Sequence, residues 1–286
     1  MRECLLIVLL IFSGTAIFGQ ESVALTSNAW QKKNVAVGLI WYSRNFDSLN
    51  ALQEFVNVLE MDQKRLQLKV VYDEKELKTV RHRAFAVNGI AAVNGNFFNP
   101  AEGGSVCFFK FNNKVVDTSR TDLGERLFLD ELDDGAICFG QKGIEILACP
   151  AAGWKQLTSY PTILSAGPML LMDGTEMPLV KHSFNDKRYS RTGIGITKEG
   201  YVLIVTVDGH LPGSAGMRMD EFQTLLRSLG CIDALNLDGG GSTLMWIKGQ
   251  ANKGIVSRYF EKNLLKLPTG TERQTANALV ITLFEN

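Results

Sequence analysis

Gly193-Ile194-Gly195-Ile196-Thr197-Lys198-Glu199-Gly200-Tyr201-Val202-Leu203-Ile204-Val205-Thr206-Val207-Asp208-Gly209 reads as two strands joined by a tight turn, the second ending on an Asp-Gly pair. β-Branched and apolar residues on both sides of Lys198-Glu199-Gly200 make the strands, and the glycine closes the turn. Downstream, a loop rich in Pro, Gly and Ser precedes Phe222, Leu225, Leu226 and Leu229 at helical spacing, with Asp220 placed to cap the helix and Gly230 to stop it. The apolar run Ala234 to Leu237 follows, and it too ends on Asp-Gly, at Asp238. Strand, loop, helix, strand is the order of a crossover unit. If its two strands are parallel neighbours, Asp208 and Asp238 stand at one sheet edge.

Asp238 is followed by Gly239-Gly240-Gly241-Ser242-Thr243 before a second apolar run, Leu244 to Ile247. A hairpin turn uses one or two residues with positive φ, so a further glycine gives up folding entropy unless the backbone must come close to something. Two readings stay open. The loop is a tight bend or bulge between buried strands, or it is a ligand cradle. In the second case its N–H groups form an anion-binding nest, with Asp238 at the mouth as a base, nucleophile or metal ligand.

Towards the N-terminus, Asn34 to Trp41 alternates as a strand, and Asp47 or Ser48 can cap a helix carrying Leu52, Phe55, Val56 and Leu59 on one face. Arg65 to Tyr72 reads as a strand and Glu74 to Ala86 as a charged helical stretch stopped at Asn88-Gly89. The strand Ile90 to Val93 then runs into Asn94-Gly95-Asn96-Phe97-Phe98-Asn99-Pro100. Hairpins are expected at Phe108 to Val116, Ile137 to Leu147 and around Asp173-Gly174, and Ala278 to Leu283 is a final strand. The expected fold class is α+β: mixed, largely antiparallel β-sheets with packed helices. No repeat, low-complexity tract or charged linker divides residues 20–286, which are expected to form one domain.

Thirty Lys and Arg balance thirty Asp and Glu in the 286-residue chain without a basic stripe, which argues against a nucleic-acid partner. Arg2, the apolar run Leu5 to Phe12 and the small residues leading to Gly19 read as a signal peptide over residues 1–19. The run falls short of the ~20 residues that cross a bilayer. Export to the periplasm or out of the cell is therefore expected, with no membrane-spanning segment in the mature chain. Removal of the signal leaves Cys107, Cys138, Cys149 and Cys231. At most one bridge is expected, Cys138 and Cys149 being merely nearest in sequence; the alternative is four free thiols.

Six motifs occur in order: Asn94-Gly95-Asn96-Phe97-Phe98-Asn99; Ser165-Ala166-Gly167-Pro168-Met169-Leu170; Arg191-Thr192-Gly193-Ile194-Gly195; Val207-Asp208-Gly209 with Ser214-Ala215-Gly216-Met217; Asn236 to Ser242; and Glu272-Arg273. Together they resemble the phosphodiester glycosidase family, over most of the chain from Leu66 to Phe284. Asn96 is a departure, since relatives often carry a second glycine there. The resemblance implies a carbohydrate or phosphoglycan substrate and hydrolysis of a sugar C1–O–phosphate bond within a phosphodiester, giving a free sugar and a phosphomonoester. Phosphate is a weakly basic leaving group, so the chemistry asks for a well-placed carboxylate and for positive charge or N–H groups on the phosphate.

On that resemblance Asp238 is the first candidate catalytic carboxylate, Asp208 the second and Glu272 the third. Arg191 is the leading phosphate ligand, since a guanidinium offers a bidentate fork, and Arg273 is the alternate. Asn94 and Asn96 are candidates for sugar hydroxyls, Phe97 and Phe98 for an apolar wall, and Gly239, Gly240, Gly241, Ser242 and Ser214 for the remaining contacts. Structural readings stand beside these: an Asp-Gly turn at Asp208, a solvated surface carboxylate at Glu272, and an Asx turn over core phenylalanines at Asn94 to Phe98. His82, His182 and His210 lack zinc spacing. A divalent cation such as calcium or magnesium on Asp208 or Asp238 stays open, because oxygen-ligand sites leave little signature in sequence. Two rival functions also remain: a non-catalytic glycan-binding protein, and a metal-dependent phosphodiesterase that cuts the P–O bond.

Overall fold

The structure is a computed structural model and describes residues 23–49, 52–119, 130–211, 213–257 and 272–284; the expected signal peptide lies outside them. The largest sheet has the spatial order β1 (Gln31–Ala36), β2 (Leu39–Leu49), β3 (Leu52–Asp62), β15 (Tyr201–Val207), β14 (Arg191–Thr197), β16 (Cys231–Asn236), β12 (Met169–Met172), β13 (Thr175–Glu176). A second sheet runs β10 (Gly143–Ala148), β9 (Gly135–Gly140), β11 (Thr162–Ala166), β7 (Phe109–Phe111), β8 (Lys114–Asp117). A third runs β17 (Met245–Ile247), β6 (Ala91–Asn94), β19 (Asn277–Leu283), β4 (Leu66–Tyr72), and the short β5 (Lys78–Thr79) and β18 (Gln274–Thr275) pair beside it. Described neighbours are antiparallel throughout.

The three large sheets share one core. Val202 and Ile204 of β15, Leu68 and Val70 of β4, Leu279 and Ile281 of β19, and Ile137 of β9 all point into it. The alternate residues of β15, Leu203, Val205 and Val207, face the other way, onto Met219, Phe222, Leu225 and Leu226 of α3 (Met219–Ser228). That two-sided burial follows from the two-residue side-chain period of a strand. Helix α1 (Val80–Ala86) covers the outer face of the third sheet through Val80 and Ala84, against Ala92, Trp246, Ala278 and Val280. Helix α2 (Ser183–Asp186) is a single turn.

The antiparallel sheets are as expected, whereas the packed helices were overstated: strand accounts for 46% and helix for 14%. The expected helix carrying Leu52, Phe55, Val56 and Leu59 is strand β3. Leu59 and Met61 enter the central core while Val56 and Val58 face the opposite side. β3 lies between β2 and β15 and is covered on both faces, so its apolar residues run on without clean alternation and imitate a helical stripe. Of the stretch Glu74 to Ala86, only Val80–Ala86 is helix.

Arg218, not Asp220, is the N-cap of α3; its amide donates to Glu221 Oε2 at 3.0 Å. No bridge joins the described cysteines, within the expectation of at most one: Cys107, Cys138 and Cys231 are buried thiols and Cys149 an exposed one. No helix among the described residues is long and apolar enough to cross a membrane.

Candidate active site

β15 and β16 are parallel but not neighbours, because β14 runs antiparallel between them. Their ends still meet. The register pairs Arg191 with Val207 and Gly193 with Asn236, so Asp208 and Asp238 emerge at the same end of the sheet on opposite sides of Ser190-Arg191. The two Asp-Gly pairs then have one physical explanation. A Cβ on Gly209 would sit 2.4 Å from Ser190 N, and one on Gly239 would sit 2.8 Å from Ser190 O. Both chains turn hard against Ser190, which only a residue without a side chain allows. Ser190 completes the seam: its carbonyl accepts from Gly240 N and its hydroxyl donates to Gly240 O, both at 2.8 Å.

The third sheet brings Asn94 to the same place. Its Nδ2 donates to Asp238 O at 2.6 Å, its Oδ1 accepts from Thr192 Oγ1 (2.9 Å) and Leu244 N (3.1 Å), and Asp238 N donates to Gly95 O at 3.1 Å. Asn96 Nδ2 donates to Ser105 Oγ and Ser165 O, both at 2.8 Å, and its Oδ1 accepts from Asn277 Nδ2 at 2.7 Å. Both asparagines are buried. Their carboxamides are spent on the protein, so in place of the expected contact with sugar hydroxyls Asn94 clamps the Asp238 loop and Asn96 ties its own loop to Ser105, Ser165 and Asn277. Cys107 lies nearby; its thiol is pushed well up by burial, with the charges of Asp133, Asp238 and Asp134 adding to the effect.

The glycine loop is only in part the expected nest. The amides of Gly240, Ser242, Thr243 and Leu244 donate to Ser190 O, Gly239 O, Gly240 O and Asn94 Oδ1. Gly240 has φ +55, while Gly240–Ser242 form one turn of tight helix. Buried polar atoms without a hydrogen-bond partner occur in the loop, Ser242 Oγ and Thr243 Oγ1, and on the strands at this sheet end, Asn236 Oδ1 of β16 and Arg191 Nη1 of β14. Leaving such a group unsatisfied costs about 1–3 kcal/mol.

Arg191 is 0% exposed. Its Nε donates to Met217 O (2.8 Å) and its Nη2 to Phe184 O (2.8 Å) and Lys187 O (3.0 Å). Burial lowers its pKa to about 10, which leaves it cationic at neutral pH. The expected fork is therefore occupied by carbonyls, and Nη1 is the edge that remains. The guanidinium also lies 5.0 Å from the Phe184 ring centroid, and Phe184 meets Phe97 at 5.7 Å. Arg273 stacks 5.4 Å over Phe98 and so stands at the other aromatic of the same loop. Glu272 is neither solvated nor beside Asp238 in any described contact: it pairs with Arg81 Nε at 2.7 Å, and its Oε2 is buried without a partner.

Asp208 is 2% exposed, its amide donating to Phe55 O at 3.0 Å. Ser214, expected to meet substrate, is buried and fastens this loop: its Oγ accepts from Phe55 N (3.1 Å) and lies 2.8 Å from Asp208 O and 3.1 Å from Glu54 Oε2. Glu54, 0% exposed, also accepts from Gly216 N at 3.0 Å. Burial raises its pKa to about 7, against the pull of the Gly216 and Ser214 hydrogen bonds and of Arg188. Sequence reasoning missed Glu54 because β3 imitates a helix, and it missed Ser190, Arg81 and Asn277 because none carries a motif. His210 stands at φ +57 with its ring 5.7 Å from Tyr189. Among the described residues no group of three or more His, Cys, Asp or Glu is placed to hold a metal ion.

These features define a class: a mainly antiparallel β protein in which two Asp-Gly strand ends and an asparagine loop gather at one end of the largest sheet. The chain belongs to the phosphodiester glycosidase family, whose sequence profile matches residues 88–282. Among curated proteins it is 24% identical over 203 residues to the mouse N-acetylglucosamine-1-phosphodiester alpha-N-acetylglucosaminidase, covering 68% of this chain and 38% of that one. It is 32% identical over 95 residues to the SPbeta prophage-derived protein YomE of Bacillus subtilis strain 168, covering 33% of this chain. The chain spans 13% of the length of the Bacillus protein and 38% of the mouse one. Two solved structures share the fold. A hypothetical protein from Synechocystis has a TM-score of 0.68 at 15% identity, covering 91% of this chain and 64% of that one. The catalytic domain of the zebrafish N-acetylglucosamine-1-phosphodiester alpha-N-acetylglucosaminidase, auto-inhibited by its pro-peptide, has a TM-score of 0.64 at 17% identity, covering 93% and 86%.

Proposed function

We propose that this chain is an exported hydrolase that cleaves the glycosidic C–O bond of a sugar-1-phosphate diester in a glycan or cell-wall polymer. Family membership and the activity for which the mouse relative is named support the reaction class. The observation that carries the site is the set of buried, unpartnered polar atoms on the segments that meet at this sheet end: Ser242 Oγ and Thr243 Oγ1 in the glycine loop, Asn236 Oδ1 at the end of β16 and Arg191 Nη1 at the start of β14. A polar ligand bearing hydroxyls and an anion satisfies such a set, and a bare structural bend has no use for it. Signal-like residues 1–19 and a fold neighbour described as a putative exported protein of Burkholderia pseudomallei support export.

In this reading Asp238 acts at the anomeric carbon, as base or nucleophile, with Asp208 on the far side of Ser190 as the second carboxylate. The C1–O bond breaks with its electron pair going to the phosphate oxygen. Water supplies the new hydroxyl on C1, and its proton leaves through the carboxylate. The cationic Arg191, through Nη1, and Arg273 stabilise the departing phosphomonoester. Asn94 holds the loop, Asn96 ties the asparagine loop to Asn277, and Glu272 acts only through its pair with Arg81.

The test is hydrolysis of N-acetylglucosamine-1-phosphodiesters by the unmodified chain and by Asp238→Asn. The variant is expected to lose about 10³-fold in kcat while keeping substrate affinity and its melting temperature. Binding without turnover by the unmodified chain would make it a glycan-binding protein. Reaction in oxygen-18 water is expected to label the sugar; label in the phosphate makes it a phosphodiesterase cutting P–O.

A further inference from the structure

We propose that Asn277, the first residue of the most C-terminal described strand, is the positioning residue for Asp238, acting through Gly95. This rests on the reading of Asp238 as the catalytic carboxylate. Asn277 grips the asparagine loop with its carboxamide and its backbone carbonyl. Its Oδ1 accepts from Asn96 N at 3.0 Å, its Nδ2 donates to Asn96 Oδ1 at 2.7 Å, and its backbone carbonyl accepts from Gly95 N at 3.2 Å. The same carbonyl accepts from Thr275 Oγ1 at 3.0 Å, so the grip is itself held.

The fit is close enough to dictate its neighbour. A Cβ on Gly95 would lie 1.8 Å from Asn277 Oδ1, so a side chain at that position and a carboxamide at Asn277 cannot coexist without movement. Gly95 passes the restraint on, because its carbonyl accepts from Asp238 N at 3.1 Å while the preceding Asn94 donates to Asp238 O at 2.6 Å. Both backbone polar groups of Asp238 are thus set by a two-residue segment whose position Asn277 fixes. Upstream, Arg83 holds Thr275 O and Ala276 O at 2.8 Å each, giving Asn277 a rigid base. Asn277 has no described contact with Asp238 itself, which separates it from the groups proposed to touch substrate.

Two measurements test the proposal, and the first needs no substrate. In Asn277→Ala, amide hydrogen exchange at Asp238 is expected to speed up about tenfold, the loss of roughly one hydrogen bond, while the amide of Ile204 in β15 keeps its protection. Unchanged exchange at Asp238 overturns the proposal, as does an equal rise at both sites. Should the alanine variant fail to fold, Asn277→Ser, which keeps a short polar group, is read the same way.

The second is a kinetic cycle with a sugar-1-phosphate diester. Asn277→Ala is expected to lower kcat about 10²-fold with KM little changed, as for a misplaced catalytic group. Gly95→Ala alone is expected to do at least as much, yet to add less than about threefold in the Asn277→Ala background, where the 1.8 Å clash is gone. Additive effects, or a change confined to KM, overturn the proposal. If the unmodified chain hydrolyses no such diester, the functional reading fails by itself, and the exchange measurement still decides whether Asn277 sets Asp238.

Discussion

At the scale of single residues, neighbouring glycines in one loop do different work. Gly239 is required by space, since its Cβ would meet Ser190 O at 2.8 Å, whereas Gly240 is required by its backbone, at φ +55 with nothing within 4 Å of an added Cβ. Gly240→Ala should therefore cost only the left-handed penalty, about 1 kcal/mol, and Gly240→Asn less. Gly239→Ala should cost about 2–3 kcal/mol and disturb the Ser190 seam. Urea denaturation of the three variants checks the order, and equal losses for Gly239→Ala and Gly240→Ala would refute it.

Glu54 gives a residue-scale prediction in pH. Its carboxyl is raised in the folded chain from 4.5 to about 7 by burial, so between those values the folded state holds a proton the unfolded state has released. Its contribution is fully present below pH 4.5 and lost as pH rises through 7. Relative to Glu54→Gln, the unmodified chain should lose on the order of 3 kcal/mol between pH 4.5 and 7.5. Parallel stability curves for the two proteins would show that Glu54 does not carry the effect.

At the scale of elements, α1 is short and poor in intrinsic stability, and what fixes it is one guanidinium. Arg83 is 1% exposed and donates to four carbonyls, of Lys78, Glu76, Thr275 and Ala276, at 2.8–2.9 Å. Arg83→Lys leaves some of these carbonyls unanswered, because an ammonium cannot reproduce the planar fork. The expected loss is about 3 kcal/mol, read by thermal unfolding, with kcat falling too because the Arg83 contacts support Asn277. A variant as stable as the parent would remove Arg83 from this role.

Elements also show what the sequence discloses. The Gly193 to Val207 hairpin was readable because its period and its turn agree, and the Asp-Gly ends were readable as a pair. Strand β3 was not, for burial on both faces erases the alternation that marks a strand. Gly193 and Gly195 were read as part of a motif of the family resemblance, and their role here is space: a Cβ at either would strike the Phe222 ring (2.7 Å) or Cys231 Sγ (2.4 Å). They let α3 and β16 close on β14. Arg191, Asn94 and Asn96 were singled out as candidates on the family resemblance; that their polar groups turn inward depends on partners far away in sequence, which no local pattern reveals.

At the scale of the whole molecule, β19 occupies the middle of the third sheet, paired with β4 over Leu66–Tyr72 and with β6 at the Asn94 edge. These pairings join residues about two hundred positions apart, the kind of long-range contact that slows folding. A chain ending before Asn277 is expected to lose cooperative unfolding altogether rather than merely some stability, because two strands are left with open edges at once. Circular dichroism through a urea titration decides this; a sharp transition in the shortened chain would show that the remaining sheets stand alone.

The same placement orders events in time. A ribosome delivers both Asp-Gly ends, the glycine loop and the asparagine loop well before it delivers Asn277 and the strand behind it. In a nascent polypeptide both Asp-Gly ends therefore precede the brace on the Asp238 loop, which forms only once β19 takes its place between β4 and β6, strands made long before.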